Sequence, residues 1–325
     1  MKAVLQTRYG PPEVLHLLDL PTPVPGETQV LVKVLAASAN ALDWRPLTFP
    51  PLVLRVLGGG HSKPRDSSYG VDLAGIVESV GARVTQFKAG DEVFGVGMGA
   101  FAEYACAEES KLALKPATVP FEVAAASPVA GSTALQSLRD KGRLQPGHEV
   151  LIHGASGGVG TFAVQIAKYF DARVTAVCST RNVEMARSLG ADAVIDYSKE
   201  DFAKLSQSYD LIIAVNGYRP LSLYWRALKP TGTCVVLGGS FAQILPAFFL
   251  GPCLSAFAPK AMRFMVTRIN QQDLQFLARL LAERKVVPVI DRRFGLAEVV
   301  DAMRYLIGEH PRGKVIIKID ERGLQ

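Results

Sequence analysis

From Glu149 to Phe162 the chain reads EVLIHGASGGVGTF, and no other stretch narrows so far what can be built around it. Val150 to His153 is apolar or β-preferring and gives way at once to glycines. Val159, Phe162, Ala163, Ile166 and Ala167 then fall on one face of a helix. Strand, glycine turn and helix open a dinucleotide-binding βαβ unit. In such a unit the N–H groups at the helix start meet a pyrophosphate, and glycine lets the backbone approach it. Ala155, Gly157 and Gly160 take the three positions of G-x-G-x-x-G, with alanine in place of the first glycine and Gly154 just before it. Ser156, Gly158 and Val159 complete the run expected to line the cofactor. Ala172 to Val177 reads as the second strand. At its end, where a carboxylate would hold an unmodified ribose, stand Ser179, Thr180 and Arg181. No acid sits there. Small hydroxyls beside a guanidinium suit a 2′-phosphate, so NADPH is expected over NADH.

The same residues satisfy a second motif. Gly154-Ala155-Ser156-Gly157-Gly158 is also G-x-S-x-G, the nucleophile elbow of hydrolases. That reading needs a downstream acid followed by a histidine. His310, in a Pro/Gly-rich segment, is the only histidine after His153. It also leaves the second strand and the long upstream region without a purpose, so the nucleotide reading is preferred.

At 325 residues the chain has room for two domains, each with its own core. A net charge of +6 without any dense Lys/Arg run suits an anionic cofactor and gives no argument for nucleic acid. Cys106, Cys178, Cys234 and Cys253 are far apart and form no C-x-x-C. With no signal peptide at MKAVLQTRYG, reduced thiols and a cytoplasmic location are expected. The most apolar region, Ile244 to Phe257, is broken by Pro246, Gly251 and Pro252 and is too short to span a bilayer. A pocket wall or a dimer surface is the expectation there, with peripheral membrane contact left open.

Residues 1–118 are strand-rich and punctuated by Gly and Pro. Strands are expected over Ala3–Gln6, Glu27–Ala37, Ala74–Val80, Glu92–Val96 and Phe101–Ala107. Arg55 to Gly70 reads as a long loop. Residues 119–267 switch to βα alternation with six strand candidates, the last at Arg263–Thr267. The segment 268–325, with helices at Asp273–Arg284 and Leu296–Ile307 and a strand at Lys314–Ile319, is expected to rejoin the first domain.

This order resembles the medium-chain dehydrogenase/reductase superfamily, and in particular its zinc-free quinone oxidoreductase branch, which includes zeta-crystallin-like proteins and chloroplast-envelope quinone oxidoreductase homologues. The resemblance is carried by Asn40-x-x-Asp43-Trp44, Gly70-Val71-Asp72-Leu73-Ala74-Gly75, Gly90-Asp91-Glu92-Val93-Phe94-Gly95, Phe101-Ala102-Glu103-Tyr104, Ala130-Gly131-Ser132-Thr133-Ala134, the His153–Gly160 run, Leu189-Gly190-Ala191-Asp192 and Gly313-Lys314-Val315. It implies an α/β fold: a GroES-like β-rich catalytic domain and a Rossmann domain with a doubly wound, parallel six-stranded sheet. It also implies a homodimer joined through the sixth strand, with Phe264, Val266 and part of Ile244–Phe257 at the contact. Zinc relatives place a cysteine where Asn40 stands and a histidine where Val71 stands, and they carry a four-cysteine lobe; none of these is present, so no metal is expected.

Without a metal, the reaction that asks least of the protein is conjugate reduction of a quinone or an α,β-unsaturated carbonyl. There the hydride goes to carbon, and charge spreads to a distant oxygen that hydrogen-bond donors can stabilise. Asn40, Asp43 and Tyr69 are the candidate catalytic residues. Asn40 leads, and counts among the expected cofactor-binding residues as well, because at the junction of nicotinamide and substrate an amide can donate to either. Asp43 reads equally as a helix cap, and Tyr69 equally as a pocket wall. By resemblance Thr133 lies near the nicotinamide and Tyr197 against the 2′-phosphate, while Asn216, Leu237, Gly238, Gly239 and Lys314 complete the cofactor set. A non-catalytic NADPH-binding protein of the same fold is the alternative.

Overall fold

The computed structural model describes residues 1–48, 67–202, 208–215, 219–238, 246–249, 251, 255 and 258–319. The chain forms two compact units: Met1–Val129, Ile269–Arg284 and Ile290–Gln325 make unit 1, and Ala130–Arg268 with Lys285–Val289 makes unit 2.

Unit 1 is built on a seven-stranded sheet. Its strands are β3 (Gln29–Ala39), β4 (Asp72–Val80), β5 (Glu92–Val96), β6 (Tyr104–Glu108), β7 (Leu112–Leu114), β14 (Ile290–Gly295) and β15 (Lys314–Lys318), in the order β14-β15-β3-β4-β5-β7, with β6 also on β3. All pairings are antiparallel except β14 with β15, which the helix Val299–Gly308 connects. A separate hairpin pairs β1 (Lys2–Gln6) with β2 (Leu15–Asp19). The long central strand β3 reads QVLVKVLAASA, and its apolar residues are buried on both faces. Val30, Val32 and Val34 pack with Leu73, Val77, Phe101 and Met303, while Ala36 packs with Phe94, Ala124 and Leu274.

Unit 2 is a six-stranded, wholly parallel sheet of β8 (Glu149–His153), β9 (Arg173–Cys178), β10 (Ala193–Asp196), β11 (Tyr209–Ala214), β12 (Leu228–Val236) and β13 (Ala261–Phe264). The order β10-β9-β8-β11-β12-β13 is that of a dinucleotide-binding sheet, with its switch between β8 and β11. The middle strands are apolar without alternation because both faces are covered.

The units divide elsewhere than at residues 118 and 267. The helix α2 (Phe121–Ala125) stays with unit 1, where Ala124 and Ala125 pack on Ala36 and Phe94 and Glu122 pairs with Arg293. Lys285–Val289 goes to unit 2 because Gln165, on α4 (Gly158–Tyr169), both donates to Val287 O at 3.0 Å and accepts from Val287 N at 2.8 Å. The sequence pattern missed β2, β7 and β14. These strands are short or half-exposed, and β2 and β14 carry charges where alternation would be sought. The sixth strand also differs: it covers Ala261–Phe264, so Val266 lies beyond its end and is 74% exposed.

No helix among the described residues is long and apolar enough to cross a membrane. Cys106, Cys178 and Cys234 are free thiols. Cys253 and most of the Arg55–Gly70 loop lie outside the described residues, as does much of Ile244–Phe257.

Candidate active site

In unit 1 three neighbouring strands bring the candidate residues together. The β15–β3 register sets Val315 opposite Ala39, and the β3–β4 register sets Ser38 opposite Asp72. Lys314, Asn40 and Asp72 therefore meet at one end of the sheet, although 274 and 32 residues separate Asn40 from its two partners. Asp72 is fully buried and is the hub of this cluster. Its Oδ2 accepts from Ser38 Oγ at 2.9 Å, Asn40 Nδ2 at 2.8 Å and Lys314 Nζ at 3.4 Å, and its Oδ1 accepts from Val129 N at 3.0 Å. Asn40 Oδ1 accepts from Lys314 Nζ at 2.5 Å, and the second Nδ2 hydrogen goes to Ser38 O at 3.3 Å.

Asn40 is also the residue before α1 (Ala41–Thr48). Asp43, in the first turn, accepts from Asn40 N at 2.7 Å, which is the carboxylate half of a capping box. Burial pushes the Asp43 carboxyl up to about 7; the Asn40 N–H opposes that rise, Asp72 adds to it and Lys314 opposes it. Tyr69 is buried edge-on against Phe101, and its hydroxyl donates to Asp43 O at 2.8 Å. Burial and the nearby Asp43 raise the phenol further above its ordinary range. The geometry of Tyr69 is that of a prop under the Asn40–Asp43 turn, with its proton committed to a backbone carbonyl.

Asp72 stands in the Gly70–Gly75 motif, where the motif alone assigns it no task. The signal was there: a lone acid inside the apolar run Val71–Ala74 has to find partners when buried. Lys314, expected among the cofactor residues, is 2% exposed and lies against Asn40 and Asp72.

In unit 2 the glycine turn is bare. Gly154, at φ +88°, and Ala155 both donate to Val177 O, pinning the turn to β9. Gly157 precedes α4 and offers no side-chain cap. The first-turn N–H groups of a helix have no partner within it, so the start of α4 is an anion site in backbone geometry. A Cβ at Gly160 would stand 2.1 Å from Gly154 O, so glycine is required for the helix to rest on the turn. Among the described residues, a Cβ on Gly157 would meet nothing nearer than 3.7 Å. These positions fit a pyrophosphate, with Ala155, Ser156, Gly157, Gly158, Val159 and Gly160 around it.

At the end of β9, Ser179 Oγ accepts from Asn182 Nδ2 at 3.1 Å, which leaves the serine hydrogen free to donate. Thr180 differs: its hydroxyl donates to Asp196 Oδ2 at 2.6 Å, and Ser198 Oγ donates to Asp196 Oδ1 at 2.6 Å. The sequence shows no acid after β9, but the fold brings one from the end of β10. These bonds, that from Ser198 first, hold the Asp196 carboxyl down at about 2. Tyr197 stands beside it, half exposed, with its N–H on Cys178 O. Leu237 N donates to Ala214 O, which sets Leu237 and Gly238 just past β12. Thr133, on α3 (Pro128–Gln136), shares a 2.6 Å hydrogen bond with Thr267. His153, closing β8, bonds Tyr224 through Nδ1 at 2.5 Å, and burial, then the Arg219 charge, pulls it down to about 4, so it stays neutral. Asn216 and Gly239 lie outside the described residues.

Residues 26–117 match the family described as alcohol dehydrogenase GroES-like domain, and residues 189–317 the family described as zinc-binding dehydrogenase. Among curated relatives, the 2-methylene-furan-3-one reductase of Solanum lycopersicum is 36% identical over 98% of this chain and 79% of its own length. The NADPH-dependent alkenal/one oxidoreductase, chloroplastic, of Arabidopsis thaliana is 34% identical over 98% of this chain and 79% of its own. Among solved structures, the quinone oxidoreductase from Coxiella burnetii superposes with a TM-score of 0.86 at 32% identity, covering 98% of this chain and 99% of that one. The six-stranded parallel sheet, the GroES-like unit and these relatives have one reading: the chain belongs to the medium-chain dehydrogenase/reductase superfamily, among its quinone oxidoreductases and enone reductases.

Proposed function

We propose that this protein is an NADPH-dependent reductase of quinones or α,β-unsaturated carbonyls that works without a metal ion. The observation that carries the reading is the glycine turn at Gly154–Gly160, closed to any side chain at Gly160. NADPH, when bound, supplies the hydride. The start of α4 holds its pyrophosphate, and Ser179 Oγ with the Arg181 guanidinium holds the 2′-phosphate. Asn40 then meets the oxygen on which charge develops. Its 3.3 Å bond to Ser38 O is long, and the hydrogen in it is the one that can be traded for a substrate oxygen.

The donor set does not fit zinc. Asn40 offers an amide oxygen already held by the Lys314 ammonium, and Asp72 accepts hydrogen bonds on both oxygens. We infer a homodimer through the β13 edge, with Phe264 and the exposed Phe248 and Phe249 near it.

The test is NADPH oxidation against a panel of quinones and enones, with a strong chelator present. Turnover of at least one class, undiminished by the chelator, is expected. Tight NADPH binding with no turnover would favour a non-catalytic role, and chelator inactivation reversed by zinc would overturn the metal-free reading.

A further inference from the structure

An asparagine amide has two orientations of nearly equal shape, and half a turn about its last torsion exchanges donor for acceptor. At Asn40 the surroundings admit only one. Oδ1 faces the Lys314 ammonium at 2.5 Å, and Nδ2 faces the Asp72 carboxylate at 2.8 Å. An ammonium has no acceptor to offer and a carboxylate no hydrogen, so neither can adapt to a turned amide. Turning it would set N–H against N–H and oxygen against oxygen. Lys314 and Asp72 are 2% and 0% exposed, so little water screens that repulsion.

The distances show what the ion pair is arranged around. Lys314 and Asp72 stand 3.4 Å from each other, yet each makes a shorter bond to Asn40. A buried ion pair is weak evidence for stability in itself, since desolvation offsets much of its attraction. We propose that Lys314 and Asp72 are positioning residues: a buried ion pair that selects one amide orientation of Asn40 and so fixes which of its atoms meets the substrate. The proposal rests on Asn40 being the group that touches the substrate oxygen. A second consequence follows from the charges. The ammonium on Oδ1 draws density from the amide and makes its Nδ2 hydrogens better donors.

The test uses the whole protein with NADPH and a quinone. The double variant Lys314→Met/Asp72→Asn removes both charges together, so neither is left buried and unpaired. It also gives Asn40 a neutral amide as neighbour, which pairs with it in either orientation. The expected result is a kcat lower by about tenfold or more, with the thermal midpoint within about 5 °C of the parent protein and the NADPH Kd, read by fluorescence, within about twofold of it. A folded double variant that keeps its kcat overturns the proposal. Asn40→Ala is run beside it. If Asn40→Ala loses kcat while the double variant does not, only the positioning role falls. If Asn40→Ala keeps full kcat, the reading of Asn40 falls and the positioning role with it. Should the double variant fail to fold, Lys314→Gln/Asp72→Asn decides in the same assay. Both neutral amides can present either end to Asn40, so kcat falls by about tenfold if the ion pair selects the orientation and stays level if it does not.

Discussion

Around Asn40 almost every polar atom is already engaged inside unit 1: both Asp72 oxygens, both Nδ2 hydrogens, Oδ1 and the Tyr69 hydroxyl have partners within the cluster. The turn at Gly154–Gly160 in unit 2 works the other way, presenting backbone N–H groups that the helix leaves unused and almost no side chain at all. The first region is preorganised by side chains that hold one another, so its weak point is any unpaired charge. The second is preorganised by backbone, so its weak point is any added atom. Two kinds of substitution should therefore separate the two regions cleanly.

The largest effect is expected from Gly160→Ala. Its Cβ would press on Gly154 O at 2.1 Å and Ala155 Cα at 2.7 Å, both backbone, so the start of α4 must move. NADPH binding should weaken by about 3 kcal/mol, on the order of a hundredfold, with a lower thermal midpoint. Gly157→Ala sharpens the contrast. Its Cβ has room within the protein but intrudes on the cradle, so NADPH binding should fall while the thermal midpoint holds. Fluorescence titration and thermal unfolding of both variants check this, and normal NADPH binding by Gly160→Ala would break the comparison.

This difference also explains what could be read in advance. The unit 2 cradle is local: strand, turn and helix lie within Glu149–Tyr169, and each glycine has a steric reason that spacing reveals. The unit 1 cluster is made by register between strands far apart in the chain. No spacing rule joins Lys314 to Asn40 or Asp72, and a lysine opening the run KVIIKI looks like an ordinary strand end. Asp196 escaped for a related reason, since it reaches Thr180 from the neighbouring strand. The fold class needed only periodicity and motif order. The boundaries needed packing, because alanines in α2 and one glutamine in α4 decide which unit each segment joins.

A smaller effect belongs to the proposed phosphate loop after β9, where side chains and not backbone alone would meet the cofactor. Asp196 takes the Thr180 hydrogen, so the proposed reading leaves donation to a 2′-phosphate to Ser179 Oγ and the Arg181 guanidinium. Arg181→Ala should weaken NADPH by about 1.5–3 kcal/mol and leave NADH nearly unchanged, because the loss is a charge-assisted bond to a group NADH lacks. Parallel titrations with the two cofactors measure it. Equal losses would mean that Arg181 supports the loop rather than the phosphate.

The last effect, at Asp43, has no single size but builds up with pH, and it tests whether the unit 1 cluster is as dry as its geometry implies. Burial first, with Asp72 adding and both the Asn40 N–H and Lys314 opposing, raises this carboxyl from 3.8 to about 7. The folded protein then holds the Asp43 proton over a range where the unfolded chain has released it. Below about pH 4 the group is neutral in both states, and above about pH 7 it is ionised in both. Between these limits stability falls as pH rises, by at most about 1.4 kcal/mol per pH unit, and then levels off. Asp43→Asn still accepts the Asn40 N–H through its amide oxygen but has no proton to lose. Urea unfolding of the two proteins across this window should therefore show the variant gaining on the parent as pH rises, with the difference constant above about pH 7. Parallel curves would mean that Asp43 titrates in its ordinary range, so that water reaches the cluster and screens the charges that hold Asn40 in place.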